Sequence, residues 1–443
     1  MRTSYLPRLL SLSAILAVAL LSLAARLAPV IDPTAAPAWQ RAAAGGIFLA
    51  SYTALALGRI PGLAIDRAGI ALVGAAMMVG SGAMALPDAY RAIDLNTITL
   101  LLGMMIVVAH LRLSGFFTLA TGVVLRRAGH PLVLLGAIVA VSGVFSAFLV
   151  NDAICLVLAP LVLDLAIAMG RKPLPFLLAV AMASNIGSVA TITGNPQNMM
   201  IGSFSAIPYA RFAAALAPVA LALLVLGFAL IGVVHRRDLG RAGPEIAMPA
   251  ARFPLNHALM GRAVAATLVM VALFFAGIVP AEAAIVMGAL LLLTRRLKAA
   301  RIYAEIDWSL LLMFAGLFII VAGAEHQWLS PPVIAAVARL HLENVAVLTP
   351  VTAVLSNIVS NVPAVLVLKP FITALADPQR AWLVVAMAST LAGNFTILGS
   401  VANLIVVEKA AARGVRIGFW AYFRIGAPLS LASLAIGALW LAR

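Results

Sequence analysis

In a chain where charge is scarce, one carboxylate stands inside an apolar run. Asp152 lies in "SAFLVNDAICLVLAP" (Ser146–Pro160). An ionised carboxylate among apolar neighbours is expensive, and such residues mark proton or ion paths through membranes. Beside it Asn151 brings an amide with two donors and an acceptor. The stretch recurs as "SNIVSNVPAVLVLKP" (Ser356–Pro370), 210 residues later, which aligns Asn151 with Asn361 and Asp152 with Val362. A second duplicated stretch follows each of these. "VAMASNIGSVATITGNPQN" (Val180–Asn198) returns as "VAMASTLAGNFTILGSVAN" (Val385–Asn403), 205 residues later. Thr191/Thr396, Gly194/Gly399 and Asn198/Asn403 are retained.

The chemistry these residues offer is hydrogen bonding to a polyhydroxylated or oxyanionic solute, with a proton or cation taken up at Asp152. The candidate solute ligands are Asn151, Thr193, Gly194, Asn195, Asn198, Ser360, Asn361, Asn394, Thr396, Ser400 and Asn403, and the candidate coupling residue is Asp152. Ser184 and Ser389 precede the breaks, where hydroxyls also join helices. An alternative task for Asp152 is to cap the helix it begins. Lys369, Glu282 and Glu408 read as interfacial charges. There is no His/Asp/Glu metal cluster, no P-loop and no nucleophile motif, so the expectation is a transporter and not an enzyme, with no cofactor beyond a coupling H+ or Na+. The single cysteine, Cys155, forms no internal disulfide and cannot build a three-sulfur site.

The elements that must position these residues follow from composition. The 443 residues are 64% hydrophobic and 10% charged, with a mean hydropathy of +1.11. A soluble domain carries about 25% charged residues, so the chain is an all-α polytopic membrane protein. Its net charge of +15 is scattered over short loops, which points to topology and not to nucleic acid. Spans are expected near 10–30, 43–58, 68–87, 96–112, 212–234, 260–279, 281–295, 308–323 and 419–441. The regions 131–169 and 344–376 fit hairpins. The regions 173–205 and 381–407 fit spans broken by "TGNPQN" and "AGNFTILGSVAN", because Pro removes a backbone donor and Gly loosens the helix.

Charge placement orients the two halves. Basic flanks, "RRAGH" and "GRK", put both ends of 131–169 in the cytoplasm. The flanks of 344–376, "HLEN" and "DPQR", have no basic excess and belong outside. One hairpin enters from each face, and the second half is inverted relative to the first. The expected divisions are an N-terminal helix in 1–42, a first repeat in 43–235, a cytoplasmic linker in 236–257 and a second repeat in 258–443. Inverted repeats with broken helices meeting at the midplane are the pattern of secondary transporters.

"SNIGSVATITGNPQNMMIG" (Ser184–Gly202), "FLVNDAICLVLAPLV" and "GSVANLIV" resemble the ion transporter superfamily, in its citrate-transporter-like and arsenite permease branches. The first stretch is similar to the group that includes plant silicon-efflux transporters. The resemblance implies a homodimer with a scaffold and a transport domain that moves as an elevator. In sodium-coupled dicarboxylate members each hairpin tip carries Ser-Asn-Thr. Here the triplets are Val150-Asn151-Asp152 and Ser360-Asn361-Val362, so both Thr positions and the first Ser are replaced. A dicarboxylate beside Asp152 would meet like charge. The resulting expectation is proton-coupled movement of a small inorganic oxyacid or anion, arsenite- or silicic-acid-like, across a bacterial-type inner membrane with the N-terminus cytoplasmic. The alternatives are sodium-coupled uptake of a di- or tricarboxylate or inorganic anion, and sodium/proton antiport.

Overall fold

The computed structural model describes residues 36–58, 63–126, 130–239, 256–294, 297–329 and 331–443. The expected first span, 10–30, and most of the expected linker, 240–255, lie outside the described residues. All regular structure among the described residues is helical, and seven of the helices are long and apolar enough to cross a membrane.

Each half opens with three helices that form a scaffold. In the first half these are Ala36–Leu57, Arg67–Gly80 and Leu95–Leu113; in the second, His257–Phe275, Pro280–Leu292 and Trp308–Trp328. Local signals start them: Asp66, Asp94, Asn256 and Asp307 each accept a backbone N–H of the first turn. The halves then exchange partners. Arg67–Gly80 packs on Trp308–Trp328, and Leu95–Leu113 packs on Pro280–Leu292. The two crossings are equivalent. A Cβ on Gly103 would lie 2.5 Å from the Ala284 carbonyl carbon, and a Cβ on Gly316 would lie 2.7 Å from that of Ala71. Gly103 and Gly316, Ala71 and Ala284, and the capping Asp94 and Asp307 all share one offset of 213 residues. The inverted repeat therefore extends through the scaffold, where the sequence carries it only as small residues and caps.

One expected span is divided. The helix from Arg67 ends at Gly80, Gly82 turns the chain with φ +75°, and a new helix begins at Leu86. Glycine adopts that left-handed conformation without the Cβ penalty, which ends the helix before 87.

The remaining elements carry the duplicated motifs. The first hairpin joins Pro131–Phe148 to Asn151–Ala168, and the second joins Val345–Val359 to Asn361–Thr373. The first broken span runs through Leu174–Ser188, a single turn at Ile192–Gly194 and Pro196–Ser205. The second runs through Pro378–Ala392, a turn at Ile397–Gly399 and Val401–Ala411. Tyr209–Val234 and Phe419–Leu441 pack beside the breaks, and the Ser430 hydroxyl donates to the Leu391 carbonyl across 2.7 Å.

Candidate functional site

The unpaired backbone of a broken helix needs partners, and the two breaks find them in the same way. In the first, the Asn198 side-chain amide donates to the carbonyls of Ser188, at 3.1 Å, and Thr191, at 3.0 Å. In the second, the Asn403 amide donates to those of Gly393, at 2.7 Å, and Thr396, at 3.1 Å. Both sets are 205 residues apart. A carbonyl left without a donor inside the protein costs about 1–3 kcal/mol, and the amides add to the bonds that Gly194 N and Gly399 N make to Thr191 and Thr396. The two amides thus close the breaks. Asn195 and Ser400, again equivalent, cap the helices that resume after them, accepting from Asn198 N at 2.9 Å and Ala402 N at 3.2 Å. Gly194 folds back against the Ser188 carbonyl so closely that no side chain would fit.

The breaks are also tied to each other. Asn185 donates to Asn394 Oδ1 at 2.8 Å and Asn403 Oδ1 at 3.1 Å, and its own oxygen accepts from Asn151 Nδ2 at 3.1 Å and Ser400 Oγ at 3.0 Å. Its repeat equivalent, Thr390, accepts from Asn195 Nδ2 and Gln197 Nε2, each at 3.1 Å. Buried polar groups satisfied in this way fix a geometry.

Some of these residues, together with others, face open space. A cavity of about 50 Å³, room for a few water molecules, is lined by Asn151, Asp152, Gln197, Ser360, Asn361 and Ser400, with Arg67 at its side. The helices beginning at Asn151, Pro196, Asn361 and Val401 all start at this cavity. Helix N-termini carry partial positive charge and free N–H groups. The two that resume the breaks are capped by their own side chains, but neither hairpin helix has a side-chain cap: Val150 and Ser360 precede them without a cap bond. Asp152 makes no hydrogen bond and no ion pair among the described residues, so it does not serve as a cap. Asn151 Oδ1 is buried and has no partner among the described residues. Ser360 holds φ +78° and ψ 160°, a conformation natural to glycine that costs of order 1–3 kcal/mol for other residues and clusters at ligand sites.

The candidate ligands therefore separate. Asn151, Asp152, Ser360, Asn361 and Ser400 meet at the cavity. Asn195, Asn198, Asn394, Thr396 and Asn403 brace the breaks, and Gly194 permits their close packing. Thr193 hydrogen-bonds to the Tyr209 hydroxyl at 2.8 Å, away from the cavity. Four lining or bracing residues were not among the candidates. Gln197 stands in the quoted break and could have been chosen on type. Asn185 and Thr390 are recognisable only once the two breaks are superposed. Arg67 reads in sequence as an ordinary basic loop residue, and only the fold brings it to the cavity. Lys369 is half-buried, with its ammonium 4.8 Å from the centre of the Phe204 ring.

Residues 52–392 fit the model of the citrate transporter family. The chain belongs to that family. Among curated relatives, an uncharacterized transporter of Mycobacterium tuberculosis is 30% identical, the alignment covering 89% of this chain and 96% of the relative. The silicon efflux transporter LSI3 of Oryza sativa subsp. japonica is 29% identical over 85% and 93%. Among solved structures, the YdaH transporter of Alcanivorax borkumensis, described as having an unusual topology, superposes with a TM-score of 0.57 at 14% identity, over 82% of this chain and 88% of that one. The citrate transporter family assignment makes this protein a multi-pass membrane transporter.

Proposed function

We propose that the protein moves a small oxyacid or its anion, of the arsenite or silicic acid kind, held between the two hairpin tips and coupled to protons at Asp152. The observation that carries this reading is the pair of uncapped hairpin helices. Both begin at the cavity, and each presents an Asn and free backbone N–H groups to it. A solute with several oxygens supplies the acceptors those donors lack. Among the described residues, Asp152 is the one carboxylate lining that cavity, and Arg67 the one cation. Neutral or singly charged solutes suit this balance, and the small volume suits a compact inorganic species better than a tricarboxylate. The relation to a silicon efflux transporter supports the same class.

The transport cycle we infer is an elevator within a homodimer in the bacterial-type inner membrane, with the N-terminus cytoplasmic. The two hairpins and broken spans move as one body, joined by the Asn185 and Thr390 braces, against the crossed scaffold helices. Few side-chain bonds span the two groups, one being Tyr52 Oη donating to the Pro363 carbonyl at 3.2 Å. Asp152 takes up a proton on one side and releases it on the other, and the solute moves with the same body.

A second reading is favoured by Arg67 and the four helix N-termini, which together suit an anion. In it the solute is an inorganic or carboxylate anion brought in with sodium. Flux into proteoliposomes separates the two. Arsenite, silicic acid, phosphate, sulfate, citrate and sodium are each followed with and without a proton gradient. Proton-dependent arsenite or silicic acid flux supports the first reading; sodium-dependent citrate or phosphate flux replaces it with the second.

A further inference from the structure

Asp152 borders two separate spaces. One is the cavity between the hairpin tips. The other, of about 120 Å³, is lined by Met105, Val108, Ala109, Leu156, Glu305 and Asp307, with Arg112 beside them. Asp152 and Leu310 are the residues common to the two linings. We propose that this second cavity is a dedicated access route by which protons reach Asp152 without passing through the solute site.

The mouth of this route is polar and partly solvated. Arg112 and Glu305 form an ion pair at 2.5 Å, with side chains 39% and 23% exposed, and Asp307 is exposed at the start of its helix. All three stand at helix ends next to loops, on the face that the basic flanks assign to the cytoplasm. Inward from them the walls become apolar, Val108, Ala109 and Leu156, until Asp152 is reached. The cavity is roomy enough for a short file of water, and water needs polar partners at its ends to be held there. Arg112, Glu305 and Asp307 supply them at one end and Asp152 at the other. The charged groups facing Asp152 are thus Arg67 across the first cavity and Arg112, Glu305 and Asp307 across the second.

The functional consequence is order. A single shared cavity would let a bound solute cover Asp152 and halt proton exchange. With a separate route, the carboxylate can be loaded or unloaded while the solute is in place. The inference rests on Asp152 being the coupling group, and its test is chosen to read access and not transport.

The experiment uses the full-length protein in sealed vesicles of known orientation. A membrane-impermeant carbodiimide with glycinamide converts an accessible carboxyl to an amide, and mass spectrometry measures the fraction of Asp152 modified. Ala109→Phe fills the second cavity and Val359→Phe fills the first. The expected result is modification from the Arg112 face, lowered several-fold by Ala109→Phe and little changed by Val359→Phe. Leu156→Phe fills the same second cavity and replaces the Ala109 variant if that protein does not fold. The wild type alone is also decisive, because modification only from the opposite face excludes this route. The proposal is overturned if Val359→Phe protects Asp152 and the second-cavity variants do not. A wild type whose flux ignores proton gradients would defeat the coupling reading and leave the access result standing.

Discussion

Asn185, in the helix leading into the first break, and Asn394, just past the helix that leads into the second, meet at 2.8 Å and join the two inverted halves. Asn185 also holds the first hairpin tip through Asn151 and the second break through Asn403 and Ser400. Replacing it with alanine leaves several buried groups unpaired, each worth about 1–3 kcal/mol. Asn185→Ala is therefore expected to lower the melting temperature by many degrees and to lose transport with it. A variant that keeps wild-type stability in a thermal shift assay would show that the brace is dispensable.

Asn151→Ala and Asn361→Ala should behave differently. Their side chains line the cavity, and Asn151 Oδ1 has no partner among the described residues. Each variant is expected to remain folded while solute flux falls at least tenfold, the equivalent of about 1.4 kcal/mol of lost interaction. Wild-type flux in both would move the solute site away from the hairpin tips.

The scaffold crossings give a prediction about stability alone. A methyl at Gly103 or Gly316 would press on the backbone of Ala284 or Ala71, whereas Gly46 and Gly261 have nothing within 4 Å. Gly103→Ala and Gly316→Ala should each destabilise by about 1–3 kcal/mol and to a similar extent, because the contacts are equivalent. Gly46→Ala and Gly261→Ala should be neutral or mildly stabilising. Chemical or thermal unfolding of the four variants compares them directly.

Orientation is open to labelling. Single cysteines near residue 171 are expected to react with impermeant reagents from the cytoplasm, and those near residue 378 from outside. Reaction of both from one side would contradict the inverted arrangement of the hairpins.

The hairpins and breaks were legible in the sequence because polar residues repeat there against an apolar background. Asn151/Asn361 and Asn198/Asn403 are the clearest marks. Which of them face open space was not legible. An Asn at a break reads the same whether it binds a solute or closes its own backbone, and Asn198 and Asn403 do the second. The scaffold helices fell within the expected repeats 43–235 and 258–443, but no residue match marked them, because their shared signals are Gly, Ala and a capping Asp, which any apolar helix contains. The end of the third expected span failed for a local reason, the left-handed turn at Gly82. Arg67 reaches the cavity only through tertiary packing, which no spacing in the chain encodes.

The central claim is that the solute lies between the hairpin tips and is driven by protons through Asp152. Its most direct test is uptake of silicic acid and arsenite into proteoliposomes under an imposed pH gradient, for the wild type and Asp152→Asn. Asparagine keeps the shape of the side chain and fixes it neutral. The account predicts uphill, gradient-dependent uptake by the wild type. The variant should lose uphill movement and sensitivity to pH yet retain downhill exchange. A variant as tightly coupled to protons as the wild type, or a wild type that follows a sodium gradient and ignores the proton gradient, would contradict it.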